Sequence, residues 1–213
     1  MNFSCRIGVA LVLAFILSSP SFATTLSFSC ITFNSPADCS IGESQLQVDI
    51  TDAGVIGGVN SVDFTFTNIG SDQSTISEVY FDDGTLLGIS TITSSSGVSF
   101  SQGATPPDLP GGNEVGFDVT ASFLADADNP APRNGVNADP NDWVTITFAL
   151  INGKTYADTI AALGTDLRIG LHVINFQSGG SESFVAPTAV PIPAGIWLFA
   201  SAVIGMMGIK RKS

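Results

Sequence analysis

Apolar and polar residues alternate through most of the middle of the chain. In QLQVDIT the apolar positions are Leu46, Val48 and Ile50, and in SVDFTFTN they are Val62, Phe64 and Phe66. EVGFDVTASFL puts Val115, Phe117, Val119, Ala121 and Phe123 on one side. WVTITFAL does the same with Val144, Ile146, Phe148 and Leu150, and DLRIGLHVIN with Leu167, Ile169, Leu171 and Val173. A period of two is the strand period, because successive side chains leave opposite faces of a sheet. TLSFSCITF, ISEVYFD, LLGISTI and GVSF are weaker strand candidates. Only YADTIAALG, residues 156–164, reads as a short helix, stopped at Gly164.

A strand with one apolar face must bury it against a second layer. About eight or nine short strands, separated by Gly, Asn, Asp and Pro turns, predict an all-β domain, an antiparallel β-sandwich over residues 24–185. The 15 phenylalanines supply most of the aromatic bulk. Burying one contributes about 1.5–3 kcal/mol, so such a core needs no cofactor. The polar stretches 101–114 and 126–142 read as loops, since strands resume after each.

Both ends break the pattern. The first 23 residues carry Arg6, an apolar run from Ile7 to Leu17, a helix-breaking Ser18-Ser19-Pro20, and Ser21-Phe22-Ala23. That order predicts a secretory signal, residues 1–23, cleaved after Ala23. Its apolar run of about 11 residues is too short to cross about 30 Å of hydrocarbon. At the other end Ile192 to Ile209 is almost unbroken apolar sequence. A helix over 192–209 would be about 27 Å long, close to a bilayer's apolar thickness. Gly195, Gly205 and Gly208 are tolerated in such a helix, and Trp197 falls at its outer, interfacial end. The basic tail 210–213, with Lys210, Arg211 and Lys212, holds the far end in the cytoplasm. Signal and span therefore demand one orientation, with the large domain facing away from the cytoplasm. Pro187, Pro191 and Pro193 keep residues 186–194 extended and open to a protease.

Val190-Pro191-Ile192-Pro193-Ala194, followed by Trp197-Leu198-Phe199, an apolar run and Lys210-Arg211-Lys212, resembles the PEP-CTERM sorting signal of Gram-negative bacteria. It is closest to the Val-Pro-x-Pro-Ala-x-x-Trp-Leu-Phe variant, with Ile192 between the prolines. The resemblance implies that residues 186–213 are a sorting signal. The Sec machinery would export the chain and the helix would anchor it transiently in the inner membrane. An exosortase would then cleave near Pro191-Ile192-Pro193, releasing the domain to the cell surface or matrix. It also implies a setting of exopolysaccharide and biofilm.

Charge narrows the partners. Lys+Arg is 7 and Asp+Glu is 19, a net charge of -12. Every acidic residue lies between Asp38 and Glu182, where the basic residues are Arg133, Lys154 and Arg168. Such a surface repels nucleic acid and favours divalent cations or uncharged partners. Of the 3 cysteines, Cys5 leaves with the signal, so Cys30 and Cys39 are predicted to form a disulfide in an oxidising compartment.

The most chemically suggestive stretch is residues 126–143. Asp126, Asp128, Asn137, Asp139 and Asn141 offer oxygens at alternate positions, as a calcium loop does. The Gly and Glu that mark an EF-hand loop are missing, and Asn, Asp and Pro are also what turns are made of. Asp82 and Asp83 read as a turn after EVYF; neighbours on a strand point apart, so they do not flank one bond. His172 alternates with Leu171 and Val173, so it points away from the core, with no base partner evident in sequence. Nucleophile-elbow, zincin and phosphate-loop motifs are missing. Trp143, beside the Asp/Asn loop, is the aromatic best placed to stack on a sugar, and core packing at a strand start is its alternative role. The expectation is an exported, non-enzymatic surface or matrix protein, structural or adhesive in exopolysaccharide. A calcium-assisted carbohydrate-binding module and an extracellular hydrolase are the other classes.

Overall fold

In a computed structural model the described residues are 23–83, 86–120 and 123–186. The expected signal before Ala23 and the expected motif, span and tail of residues 190–213 lie outside them. Ala23 itself is exposed, next to the first strand.

The strands begin with β1 (Thr24–Ser27) and β2 (Ser29–Cys30), followed by helix α1 (Pro36–Gln45). A long hairpin, β3 (Leu46–Ile56) and β4 (Val59–Asn68), precedes β5 (Thr75–Asp83), β6 (Leu86–Ser94) and β7 (Phe100–Gln102). Then come β8 (Leu124–Ala127), α2 (Ala131–Asn134), β9 (Val136–Asn137) and β10 (Trp143–Leu150). Helix α3 (Tyr156–Ala162), β11 (Leu167–Ile174) and β12 (Glu182–Val185) complete the described chain. The strands form two antiparallel sheets, ordered β1-β3-β4-β10-β6 and β2-β12-β11-β5-β8-β7, with β9 paired to β5.

The sheets pack face to face, as the alternation requires. Val48, Ile50, Val62, Phe64, Phe66, Val144, Ile146 and Phe148 from one meet Val79, Phe81, Ile169, Leu171 and Val173 from the other, all at 0% exposure. Phe81 sits edge-on to Phe64 and Phe148, with ring centroids 5.1 and 4.7 Å apart. The result is a sandwich-like, mostly β domain with twelve strands among the described residues, more than the eight or nine expected.

Three expectations change. The described residues of 115–123 are not in a strand: Gly112–Val115 is a 3-10 turn, and 117–120 and 123 follow without regular structure. The apolar residues there are used differently. Leu109 and Phe117 close over Tyr80 and Leu124 on the outer face of the second sheet, making a small second core. The stretch 126–142 is not one loop, since it holds the end of β8, α2 and β9. Helix α1 was not expected. It is started by Ser35, whose side chain accepts from Asp38 N, and by Pro36 at its first position. It has no apolar stripe to announce it, and it docks instead through Gly42 against the Phe184 ring. The expected helix near 156–164 is present as α3, opened by a capping box between Thr155 and Asp158. No helix among the described residues is long and apolar enough to cross a membrane.

Candidate functional site

The Cys30–Cys39 disulfide is formed, tying β2 to α1. Beside it Glu182 is 1% exposed. Its carboxylate accepts from the backbone N–H of Asn34 and Ser35 and from the Thr32 hydroxyl. Cys30, Cys39 and Glu182 are also the group of potential metal ligands that the described residues bring within 4.8 Å of one another. With the two sulfurs bonded to each other, that group is a structural staple joining three segments.

The oxygen-rich stretch is divided by its own hydrogen bonds. Asp128 accepts from the Ser99 hydroxyl and, at 2.8 Å, from the Ser101 hydroxyl. These bonds hold its carboxyl below the usual carboxylate range. Asn137 Oδ1 accepts from the Thr75 hydroxyl at 2.9 Å, and its side-chain amide donates to Asp142 at 3.2 Å. Asp139 accepts from the backbone and side-chain nitrogens of Asn141 at 2.8 and 2.9 Å. Asp126 leaves the loop altogether and stands on β8, opposite Glu78 of β5 and Ser101 of β7. Asp126 and Asp128 border a 360 Å³ surface groove that runs along Ser101 to Thr105.

Asp126 belongs to a row of polar side chains across the outer face of the second sheet. The register runs Ser101, Asp126, Glu78, His172 and Ser183 over five neighbouring strands. His172 Nδ1 lies 2.6 Å from Glu78 Oε2, so the histidine does have a carboxylate partner, contrary to the expectation. Sequence could not show it, because β5 and β11 are distant in the chain and pair only in the fold. Burial raises the Asp126 carboxyl above its ordinary value, and the nearby Glu78 raises it further. Burial and the same carboxylates push the Tyr80 phenol up as well, and its hydroxyl donates to Pro106 O at 3.0 Å. Tyr80, two residues along β5 from Glu78, is thus covered by the segment that carries Pro106 and Leu109.

Asp82 and Asp83 end β5 and do not form a turn of their own. They point apart as strand geometry requires. Asp83 is 3% exposed and accepts from Leu86 N, whereas Asp82 pairs with Arg168 of β11.

Trp143 opens β10 and is half-buried, with its backbone bonded to Ser95. Val144, Ile146 and Phe148 point into the core, so Trp143, Thr145 and Thr147 share the outward register of the first sheet. The neighbouring strands continue that register with polar residues. Thr25, Asp49, Thr65, Thr145 and Thr93 form one row across all five strands. Thr51, Asp63, Thr147 and Thr91 form the next, and Ser27, Gln47, Thr67 and Trp143 the one on its other side. Within the rows the Thr65 and Thr145 hydroxyls are 2.8 Å apart, Thr147 donates to Asp63 at 2.6 Å, and Thr25 donates to Asp49. Sequence reasoning singled out Trp143 but missed the rows, although FTFT, VTIT and STIT carry them in plain alternation.

Comparisons with protein-family models, with curated proteins and with solved structures find no match.

Proposed function

We propose that this is an exported, non-enzymatic protein of the cell surface or extracellular matrix, sorted by an exosortase and structural or adhesive among exopolysaccharides. The observation that carries the reading is the run from Val190 to Ser213, with its proline motif, apolar stretch and basic end. The signal-like first 23 residues call for the same orientation. The Cys30–Cys39 disulfide supports the reading, because such bonds persist in oxidising compartments. So does the chain's acidity, which repels nucleic acid and anionic lipid. Cys30 and Cys39 are bonded to each other, Glu182 holds the 32–35 segment, Glu78 faces His172 and Asp82 pairs with Arg168, which suits a structural use of these side chains.

The test is fractionation of cells that make the full chain, with and without a functional exosortase. The expected result is a surface or medium form when the enzyme is present and an inner-membrane form when it is absent. A cytosolic protein with its leader intact, or a distribution that ignores the exosortase, overturns the proposal.

A further inference from the structure

We infer that the outer face of the first sheet is a contact surface for an uncharged polysaccharide chain lying across the strands. The inference rests on the matrix reading above, whose partner class it names.

The chemistry of the face selects the partner. A threonine hydroxyl has one hydrogen to donate and two lone pairs to offer, and a carboxylate only accepts. Thr147 and Thr25 already spend their hydrogens on Asp63 and Asp49. The surface that remains is rich in acceptors. A polyol brings the complementary surplus of O–H donors. Asp49 and Asp63 stand in the rows and no lysine or arginine does, so an anionic glycan is repelled. A protein partner would want apolar or arginine anchors, and Trp143 at the rim is the one large apolar side chain in these rows. On a sugar that same ring can pack against the apolar face of a pyranose.

Spacing and twist point the same way. Neighbouring strands are about 4.8 Å apart, so each row repeats its polar groups at that interval. A glycan advances by a similar distance per ring, so one sugar can meet each strand. Adjacent strands are also rotated by roughly 20–25°, which turns a five-stranded face through about 80–100° from edge to edge. A flat crystalline plane cannot follow that curve. A single chain can, by rotating about its glycosidic links.

The test is affinity electrophoresis of the full chain in mild detergent, through gels cast with hydroxyethylcellulose, galactomannan or alginate. The wild type is expected to be retarded by at least one neutral polymer and not by alginate. Thr65→Val with Thr145→Val removes the central hydroxyls while keeping shape and strand preference, and should weaken retardation about tenfold or more. Thr91→Val with Thr93→Val, on the exposed edge strand, serves if the central pair unfolds, and Trp143→Ala should weaken binding as well. Retardation that these variants leave unchanged overturns the assignment to this face. Failure of the wild type to bind any neutral polymer, or binding to alginate alone, overturns the inference. Neither outcome touches the matrix reading, which the fractionation decides separately.

Discussion

The hydroxyls of Thr65 and Thr145 lie 2.8 Å apart, at the centre of the outward face of the first sheet. Directly beneath them, Phe64, Phe66, Val144 and Ile146 point the other way into the core at 0% exposure. One alternation therefore builds both the core and the surface offered to the outside. The two can be tested apart.

Asp126 reports on the acidic row of the second sheet. Burial and Glu78 raise its folded pKa above the unfolded value. The folded state then holds its proton more tightly than the unfolded state does. Asp126 therefore costs no stability at pH values below its unfolded pKa. The penalty develops as pH rises from there through the raised folded value, and it persists at neutral pH. Asp126→Asn should melt higher than wild type at pH 7, with the difference vanishing near pH 3. Thermal melts across that range check it; an equal difference at both ends would show that charge is not the cause.

Phe81 joins the two sheets through Phe64, Phe66 and Phe148. Its truncation leaves a cavity that rigid neighbouring strands cannot close. Phe81→Ala should cost about 3–5 kcal/mol by denaturant unfolding.

The strands were legible because burial on one face imposes period two, and the positions of β3, β4, β10 and β11 follow directly from it. Residues 115–123 misled for the same reason. Phe117 and Val119 are apolar because they cover Tyr80 on the outside of a sheet, and alternation alone cannot tell a covering segment from a strand. The partnership of His172 with Glu78 was illegible because it depends on which strands become neighbours, 94 residues apart.

Gly42 sits inside α1, where alanine would ordinarily favour a helix by about 1 kcal/mol. A Cβ there would come 2.2 Å from Phe184 Cζ. Because Phe184 is 0% exposed and cannot step aside, the clash outweighs the propensity. Gly42→Ala should lower the melting temperature, and pairing it with Phe184→Leu should recover part of the loss.

The Cys30–Cys39 loop is short, with a sequence separation of 9. Closing a loop of that size restrains the unfolded chain by about 2–3 kcal/mol. Replacing both cysteines with serine should lower unfolding free energy by about that amount, and a reducing agent should bring the wild type to the same level without further affecting the variant.

The most direct measurement is the intact mass of the protein recovered from the surface or medium of cells that carry an exosortase. The expected chain begins at Thr24 and ends near Pro191-Ile192-Pro193, with Cys30 and Cys39 oxidised. A recovered mass that still includes the leader, or the Trp197-Leu198-Phe199 stretch and the basic end, would contradict it.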